Sequence, residues 1–169
     1  TVFNALKKSD SDKEGKFYFE RYITAHAIMI SFEGIPAIYF NSLFGKANDE
    51  AKYVITGNNR DVNRYKWNYK NITKKLSDKN SKQSIFYQNL GKLLEIKKKQ
   101  KAFHPNAKRL NINLGSKLFC FKRISRDKKQ TIISITNCSS VDQYPKLEKK
   151  YSKWKNIINP KINSLKKSI

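Results

Sequence analysis

Two arginines four residues apart carry the clearest chemical signal in this sequence. Residues 57–64 read GNNRDVNR, with Asp61 between Arg60 and Arg64 and with asparagines on both sides of it. A guanidinium offers fork-shaped donors, so Asp61 can hold one arginine while the other stays available to a hydroxyl or a phosphate oxygen. The same residues can equally form an ion-paired loop that only fixes backbone geometry. The local sequence leaves both interpretations open.

The other reactive side chains do not form a catalytic set. His26 lies in an apolar segment and His104 stands beside Pro105, and lone histidines in such places are more often structural than catalytic. Cys120 and Cys138 lack metal-ligand spacing. Seven acids lie in charged segments and are expected to be solvated: Asp10, Asp12, Glu14, Asp78, Asp127, Asp142 and Glu148. The sequence therefore predicts no catalytic residue, no metal site and no glycine-rich phosphate loop.

A buried helix and a short strand are expected to position the arginine loop. Residues 16–33 leave almost no polar face, which predicts a helix covered by protein on most sides. Gly34 and Pro36 end that helix, and residues 35–40, IPAIYF, predict a strand of a parallel sheet buried on both faces. The polar residues 41–64 then follow the carboxyl end of the strand, where α/β barrels and doubly wound sheets bind ligands.

The remaining chain predicts one more helix and a small β region. Residues 1–6, TVFNAL, lean towards β structure, and residues 77–101 form an amphipathic helix that stops before Pro105. Short β segments are expected at residues 112–114, 117–124 and 131–136, with a hairpin loop at 125–130. The tail, with Trp154, Ile157, Ile158, Pro160 and Ile162, predicts a weak further strand.

The chain is strongly basic. Lysine and arginine number 36 against 13 acidic residues among 169, for a net charge of +23. This excess can indicate a nucleic-acid or membrane partner, but it consists overwhelmingly of lysine and accompanies no nucleic-acid-binding motif. The most apolar run, residues 23–32, is about half a membrane span. Because no signal-peptide pattern or disulfide framework is evident, we predict a cytoplasmic protein with a solvated lysine surface and no membrane partner.

Several segments resemble a known family. GIPAIYFNSLFGKAND followed by NNRDVNR is similar to the closing part of the sucrose-phosphorylase-like branch of the alpha-amylase superfamily, glycoside hydrolase family 13. LLEIKKKQKAFHPNA resembles the closing barrel helix of that branch, and LFCFKRIS with TIISITNCSS resembles the first hairpin of its C-terminal β domain. TVFNAL resembles the stretch shortly before the preceding helix. The resemblance runs from residue 1 to about residue 160.

The resemblance implies an architecture. Residues 1–107 would be the last helix, strand and helix of a (β/α)8 TIM barrel with an acceptor-side loop. Residues 108–169 would be a partial antiparallel β domain. A whole barrel takes about 250 residues, so the chain is expected to be the C-terminal portion of a longer protein, a split enzyme completed by the missing barrel half, or a remnant.

The resemblance also implies a reaction. The family transfers an alpha-glucosyl group to phosphate by a retaining double displacement, with inorganic phosphate as co-substrate and no other cofactor. Its three catalytic acids are expected upstream of residue 1, so the chain alone would be inactive. Arg60, and with it Asp61 and Arg64, carries over as the acceptor-side or phosphate-side loop. Sucrose and glucosyl-glycerate or glucosyl-glycerol substrates all remain open.

A second hypothesis belongs to another class. The lysine-rich helix at residues 92–101 and the basic tail could make the chain a stand-alone module that binds nucleic acid. A steep fall of affinity with salt would distinguish this module from a phosphorylase.

Overall fold

The computed structural model describes residues 1–151 and 153–159. The described residues divide into two compact units, one made of residues 1–30 and 35–94 and the other of residues 31–34, 95–151 and 153–159. Five α-helices occur in the described residues: α1 (Val2–Leu6), α2 (Tyr18–Ser31), α3 (Glu50–Thr56), α4 (Tyr69–Ser77) and α5 (Lys82–Lys99). One three-stranded antiparallel sheet accompanies them, with strands β1 (Lys108–Asn111), β2 (Leu118–Ile124) and β3 (Thr131–Asn137).

Aromatic side chains from α1, α2 and α5 build the core of the first unit. The ring of Phe86 lies 4.9 Å from that of Tyr22, 5.1 Å from Phe19 and 6.0 Å from Phe3. Leu90 and Ile30 complete the buried centre. Burying each such side chain contributes about 1.5–3 kcal/mol, so this cluster is the main support of the unit. The two helices expected near residues 16–33 and 77–101 are confirmed as α2 and α5.

Residues 35–40 do not form the predicted strand. They are followed by a short 3-10 helix, Phe40–Phe44, and no strand of the described residues pairs with them. Ile38 packs against the core, whereas Ile35 is 85% exposed and Phe40 is 56% exposed. A strand forms only with a neighbouring strand to which its backbone can hydrogen-bond, and the described part of the chain supplies none for this segment. Without a sheet to cover them, several apolar side chains of this segment are exposed to solvent.

Capping residues account for helices that the hydrophobic pattern did not predict. Residues 1–6 form α1 instead of a β segment, because the Thr1 hydroxyl accepts the amide of Asn4. Asp49 and Asn68 likewise cap α3 and α4 through their side-chain oxygens. The expected loop at residues 41–64 thus contains a helix as well as two short 3-10 segments.

The second unit contains the β region close to its predicted place. β2 and β3 confirm the segments expected at 117–124 and 131–136, and the backbone amide of Ser125 donates to the carbonyl of Gln130 across the hairpin loop, at 2.9 Å. The strand expected at 112–114 lies earlier, as β1, and pairs Leu110 with Lys122. The described residues 153–159 contain no strand, and Pro160 and Ile162 lie outside the described residues.

One buried arginine organises the second unit. Arg123 on β2 is fully buried and donates to the carbonyls of Ser31 (2.8 Å), His104 (2.7 Å) and Ala107 (3.2 Å). Arg109 on β1 adds an ion pair with Glu33, at 2.6 Å. The guanidinium of Arg123 thereby holds residue 31 and the turn around Pro105 against the sheet. No described helix is long and apolar enough to cross a membrane.

Candidate substrate-binding loop

The three predicted residues lie together in the first unit. Arg60 and Asp61 belong to a 3-10 helix, Asn59–Val62, which Asn58 caps by accepting the amide of Arg60 at 3.0 Å. Arg64 follows two residues after it, and both arginines are exposed. The amide of Asp49 donates to the carbonyl of Val62 at 2.7 Å, so the start of α3 closes the loop. The structure therefore brings the predicted cluster to one exposed place.

Asp61 does not form the arginine pair that the spacing suggested. Its carboxylate lies 3.0 Å from the ammonium of Lys52 on α3. Hydrogen bonds from Lys52 and Thr56, together with the charges of Lys52 and Arg64, lower the pKa of Asp61 below its ordinary value. The helix α3, which the hydrophobic pattern did not predict, supplies this partner. Both guanidiniums of the cluster are left without an ion-pair partner among the described residues.

The side chain of Asn41 binds the backbone at the C-terminal end of the loop. Its side chain is 2% exposed, and its Nδ2 donates to the carbonyl of Tyr65 at 3.0 Å and to that of Asn63 at 3.2 Å. Its Oδ1 accepts the indole N–H of Trp67 at 2.8 Å. The hydroxyl of Tyr39 also donates to the Asn63 carbonyl, at 3.1 Å. Sequence reasoning missed Asn41, although an asparagine directly after an apolar run was a visible signal.

A further hydrogen bond, made by a residue of α2, connects the 3-10 helix that contains Asn41 to the core. Tyr22 is fully buried on α2 and donates its hydroxyl to the carbonyl of Ser42, at 2.7 Å. His26, one turn further along α2, has its Nδ1 2.9 Å from the Tyr22 carbonyl. A carbonyl oxygen can only accept, so Nδ1 is the donor in this contact, and burial lowers the pKa of His26. His26 is therefore structural, as its place in an apolar helix indicated.

Gly45 ends the 3-10 helix that carries Asn41. Its φ of 58° lies in the left-handed region. A Cβ at this position would come within 2.6 Å of the Phe86 ring. Glycine is therefore required here by both conformation and space, and the turn into the loop lies directly on the aromatic core.

Among the acids outside the loop, Asp12 has structural partners. Within the described residues, no three histidine, cysteine or acidic side chains come close enough to hold a metal ion. Asp12 is not the solvated acid that its charged surroundings suggested. It accepts the amides of Lys16 and Phe17 at 2.9 Å and pairs with Arg21 at 2.7 Å. The bond from Phe17 first, then those from Arg21 and Lys16, lowers its pKa from 3.8 to about 2, so Asp12 serves the start of α2.

Three curated proteins are similar to this chain. No protein-family model matches the chain. The glucosylglycerate phosphorylase of Escherichia coli strain K12 is 38% identical over 106 residues, which cover 63% of this chain and 19% of that protein. The Allomeiothermus silvanus glucosylglycerate phosphorylase is 34% identical over 107 residues, covering 63% and 19%.

A third relative extends the match. The Spirochaeta thermophila glucosylglycerate phosphorylase is 27% identical over 140 residues, which cover 83% of this chain and 24% of that protein. The chain thus spans about a fifth to a quarter of the length of these curated relatives. The resemblance found in the sequence is confirmed: the chain is similar to part of three glucosylglycerate phosphorylases.

Proposed function

We propose that this chain is the C-terminal portion of a glycoside phosphorylase that transfers an alpha-glucosyl group to inorganic phosphate. The observation that carries the proposal is the exposed arginine pair, held by a structured loop in a chain whose relatives are named phosphorylases. Because those relatives are named for glucosylglycerate, we propose glucosylglycerate as the first substrate to test, ahead of sucrose and glucosylglycerol.

In this proposal the loop binds and other residues catalyse. The exposed guanidiniums of Arg60 and Arg64 offer paired N–H donors to phosphate oxygens or to the acceptor's hydroxyl and carboxylate groups. Asp61, already paired with Lys52, keeps α3 and the loop together rather than contacting substrate. The nucleophile, the acid–base group and the third acid of a retaining mechanism come from barrel strands outside this chain. Phosphate is a co-substrate, and no other cofactor is invoked.

The exposed apolar residues of the first unit support the same proposal. Ile35, Val54 and Ile55 are 85%, 80% and 84% exposed, and Tyr39 and Phe40 are more than half exposed. Large apolar side chains in this density mark a surface that packs against protein. We propose that residues 35–40 become the eighth strand of a barrel once neighbouring strands are supplied. The chain alone is then expected to self-associate and to be inactive.

A chimera tests the proposal directly. In this chimera, the chain replaces the matching stretch of the Escherichia coli glucosylglycerate phosphorylase. Phosphate-dependent release of glucose 1-phosphate from glucosylglycerate is the expected result, and Arg60→Ala should reduce kcat/KM by about a hundredfold. Lys66→Ala, which removes an exposed cation from the same loop, serves as the control. A folded chimera without phosphorolysis of any of the three glucosides would contradict the proposal, as would a monomeric, cooperatively melting isolated chain.

The net charge of +23 supports a second candidate function, a basic module that binds nucleic acid. Lys97, Lys98 and Lys99 fill the last turn of α5, and Lys101 follows. Titration of a labelled duplex and a labelled single strand between 50 and 200 mM salt is the test. Several phosphate contacts would lower the affinity by about a thousandfold or more over this range, whereas absence of binding at low salt would exclude the module.

A further inference from the structure

Asn41 differs from the other polar residues of the loop in two ways. It is buried, and both the nitrogen and the oxygen of its side-chain amide are hydrogen-bonded. Both N–H bonds of its amide go to backbone carbonyls, and its oxygen accepts from Trp67. An indole N–H can only donate, so the Trp67 contact requires Oδ1 on that side and fixes the orientation of the amide. The donor side must then face residues 63 and 65.

The two carbonyls that Asn41 holds belong to the residues on either side of Arg64. Nδ2 lies 3.2 Å from the oxygen of Asn63 and 3.0 Å from the oxygen of Tyr65. Tyr39 adds a second donor to the Asn63 oxygen. The backbone before and after Arg64 is therefore anchored, and its side chain remains exposed.

Arg60 is held differently. Its amide is bonded to Asn58 two residues earlier, a contact within the same short segment. No side chain distant in sequence bonds to the backbone of Arg60 in the described residues. Of the two candidate arginines, Arg64 is therefore the one whose neighbouring carbonyls on both sides are bound by a buried side chain.

We propose, resting on the phosphorylase function above, that Asn41 is a positioning residue that presents Arg64 to an oxyanion of the substrates. The oxyanion is either inorganic phosphate or the carboxylate of glycerate. A guanidinium binds both through paired N–H donors, and anchoring the backbone on both sides reduces the freedom that binding would otherwise remove. Trp67 fixes the amide of Asn41 and thereby completes the arrangement.

Steady-state kinetics of the chimera test which oxyanion Arg64 binds. Arg64→Ala should raise KM for one oxyanion substrate by about tenfold or more, and Asn41→Ala should raise the same KM by a smaller factor with little change in kcat. Phosphate is varied in the phosphorolysis direction and glycerate in the synthesis direction, so the direction in which KM rises identifies the oxyanion. The Asn41→Ala/Arg64→Ala double variant should be no worse than Arg64→Ala alone. Additive losses, or no rise in KM in either direction, would overturn the proposal.

Tyr22→Phe is the matched control. It removes the hydroxyl that bonds to Ser42, and thus loosens the same 3-10 helix without touching the carbonyls beside Arg64. Its KM values should stay at those of the unmodified chimera even if its stability falls as much as that of Asn41→Ala. Equal effects of the two substitutions on KM would show that Asn41 acts only through stability.

Amide hydrogen exchange separates this proposal from the function on which it rests. In the folded chimera, whether or not it is active, Asn41→Ala should speed exchange in residues 63–67, and Tyr22→Phe should not. Unchanged exchange would refute the positioning role even in an active chimera. An inactive chimera with the expected exchange would instead refute the phosphorylase function and, with it, the oxyanion ligand of Arg64.

Discussion

Asn41 in the first unit and Arg123 in the second are both buried side chains that gather backbone carbonyls, but they leave different chemistry at the surface. Arg123 uses a charged guanidinium to hold three carbonyls. Asn41 uses a neutral amide to hold two. In the second unit, the guanidinium of Arg123 is buried and bonded to backbone carbonyls, and the neighbouring Arg109 is paired with Glu33. In the first unit, the neutral side chain of Asn41 makes the corresponding bonds to the backbone. The guanidiniums of Arg60 and Arg64 therefore remain exposed.

A buried guanidinium is committed to its structural partners, whereas an exposed guanidinium on an anchored backbone stays accessible to solvent. The physical reason is desolvation, because a buried charge is costly unless fixed partners compensate it, and it cannot exchange those partners for a ligand. A neutral amide has a smaller desolvation cost. The first unit can therefore organise a loop without using its cations.

Removing the aromatic support beneath the loop should have the largest effect. Phe86→Ala deletes the ring that contacts Phe19 and Tyr22 and that lies against Gly45. We expect the first unit of the chimera to lose about 3–5 kcal/mol, measured by hydrogen exchange of α2. Tyr87→Ala, at a half-exposed neighbouring position, is the control. A similar loss for both variants would show that the unit does not depend on this buried cluster.

Removing the buried guanidinium should come next. Arg123→Met leaves the carbonyls of Ser31, His104 and Ala107 without their donor, and we expect a loss of about 3 kcal/mol or more in the second unit. Exchange of β2 and β3 amides in the chimera measures it. Arg126→Met removes an equal charge from the exposed hairpin loop and should be neutral. If Arg123→Met were as stable as the unmodified chimera, Arg123 would not have the structural role that distinguishes it from the exposed arginines of the first unit.

Acid should weaken the first unit through Asp12. Its pKa is lowered from 3.8 to about 2 in the folded protein. The stabilisation from this depressed carboxyl is present above pH 3.8 and is lost as the pH falls towards about 2. We therefore expect faster exchange in α2 as the pH is lowered through this window, after correction for the intrinsic exchange rate. Asp12→Asn should remove this part of the pH dependence, and an unchanged profile would contradict the assignment.

The smallest effect on stability is expected at Lys52. Lys52→Met removes the partner of Asp61, and because the ammonium is partly exposed the loss should be about 0–1 kcal/mol. The freed carboxylate can then pair with Arg64, whose charge already contributes to the lowered pKa of Asp61. We expect a higher KM for the oxyanion substrate of the chimera. Lys70→Met, which removes an exposed lysine of α4, is the control, and an unchanged KM would show that Lys52 does not keep Arg64 available.

Local patterns in the sequence were sufficient for several elements. The apolar character of residues 16–33 and 77–101 predicted α2 and α5, and the turn residues at 125–130 predicted the β2–β3 hairpin. The capping residues Asp49 and Asn68 also carried local signals for α3 and α4. All of these depend on contacts between residues close in the chain, which sequence patterns report directly.

Local sequence patterns sufficed for the family resemblance, for α2 and α5, for the hairpin and for the identity of the arginine cluster. The remaining features depend on contacts between residues that are distant in the chain. Residues 35–40 are apolar enough for a strand, but pairing depends on neighbours that the described chain does not contain. Asp61 pairs with Lys52 because α3 folds back beside it. Asn41 reaches residues 22–26 positions away, and no local pattern specifies which carbonyls a buried amide will meet.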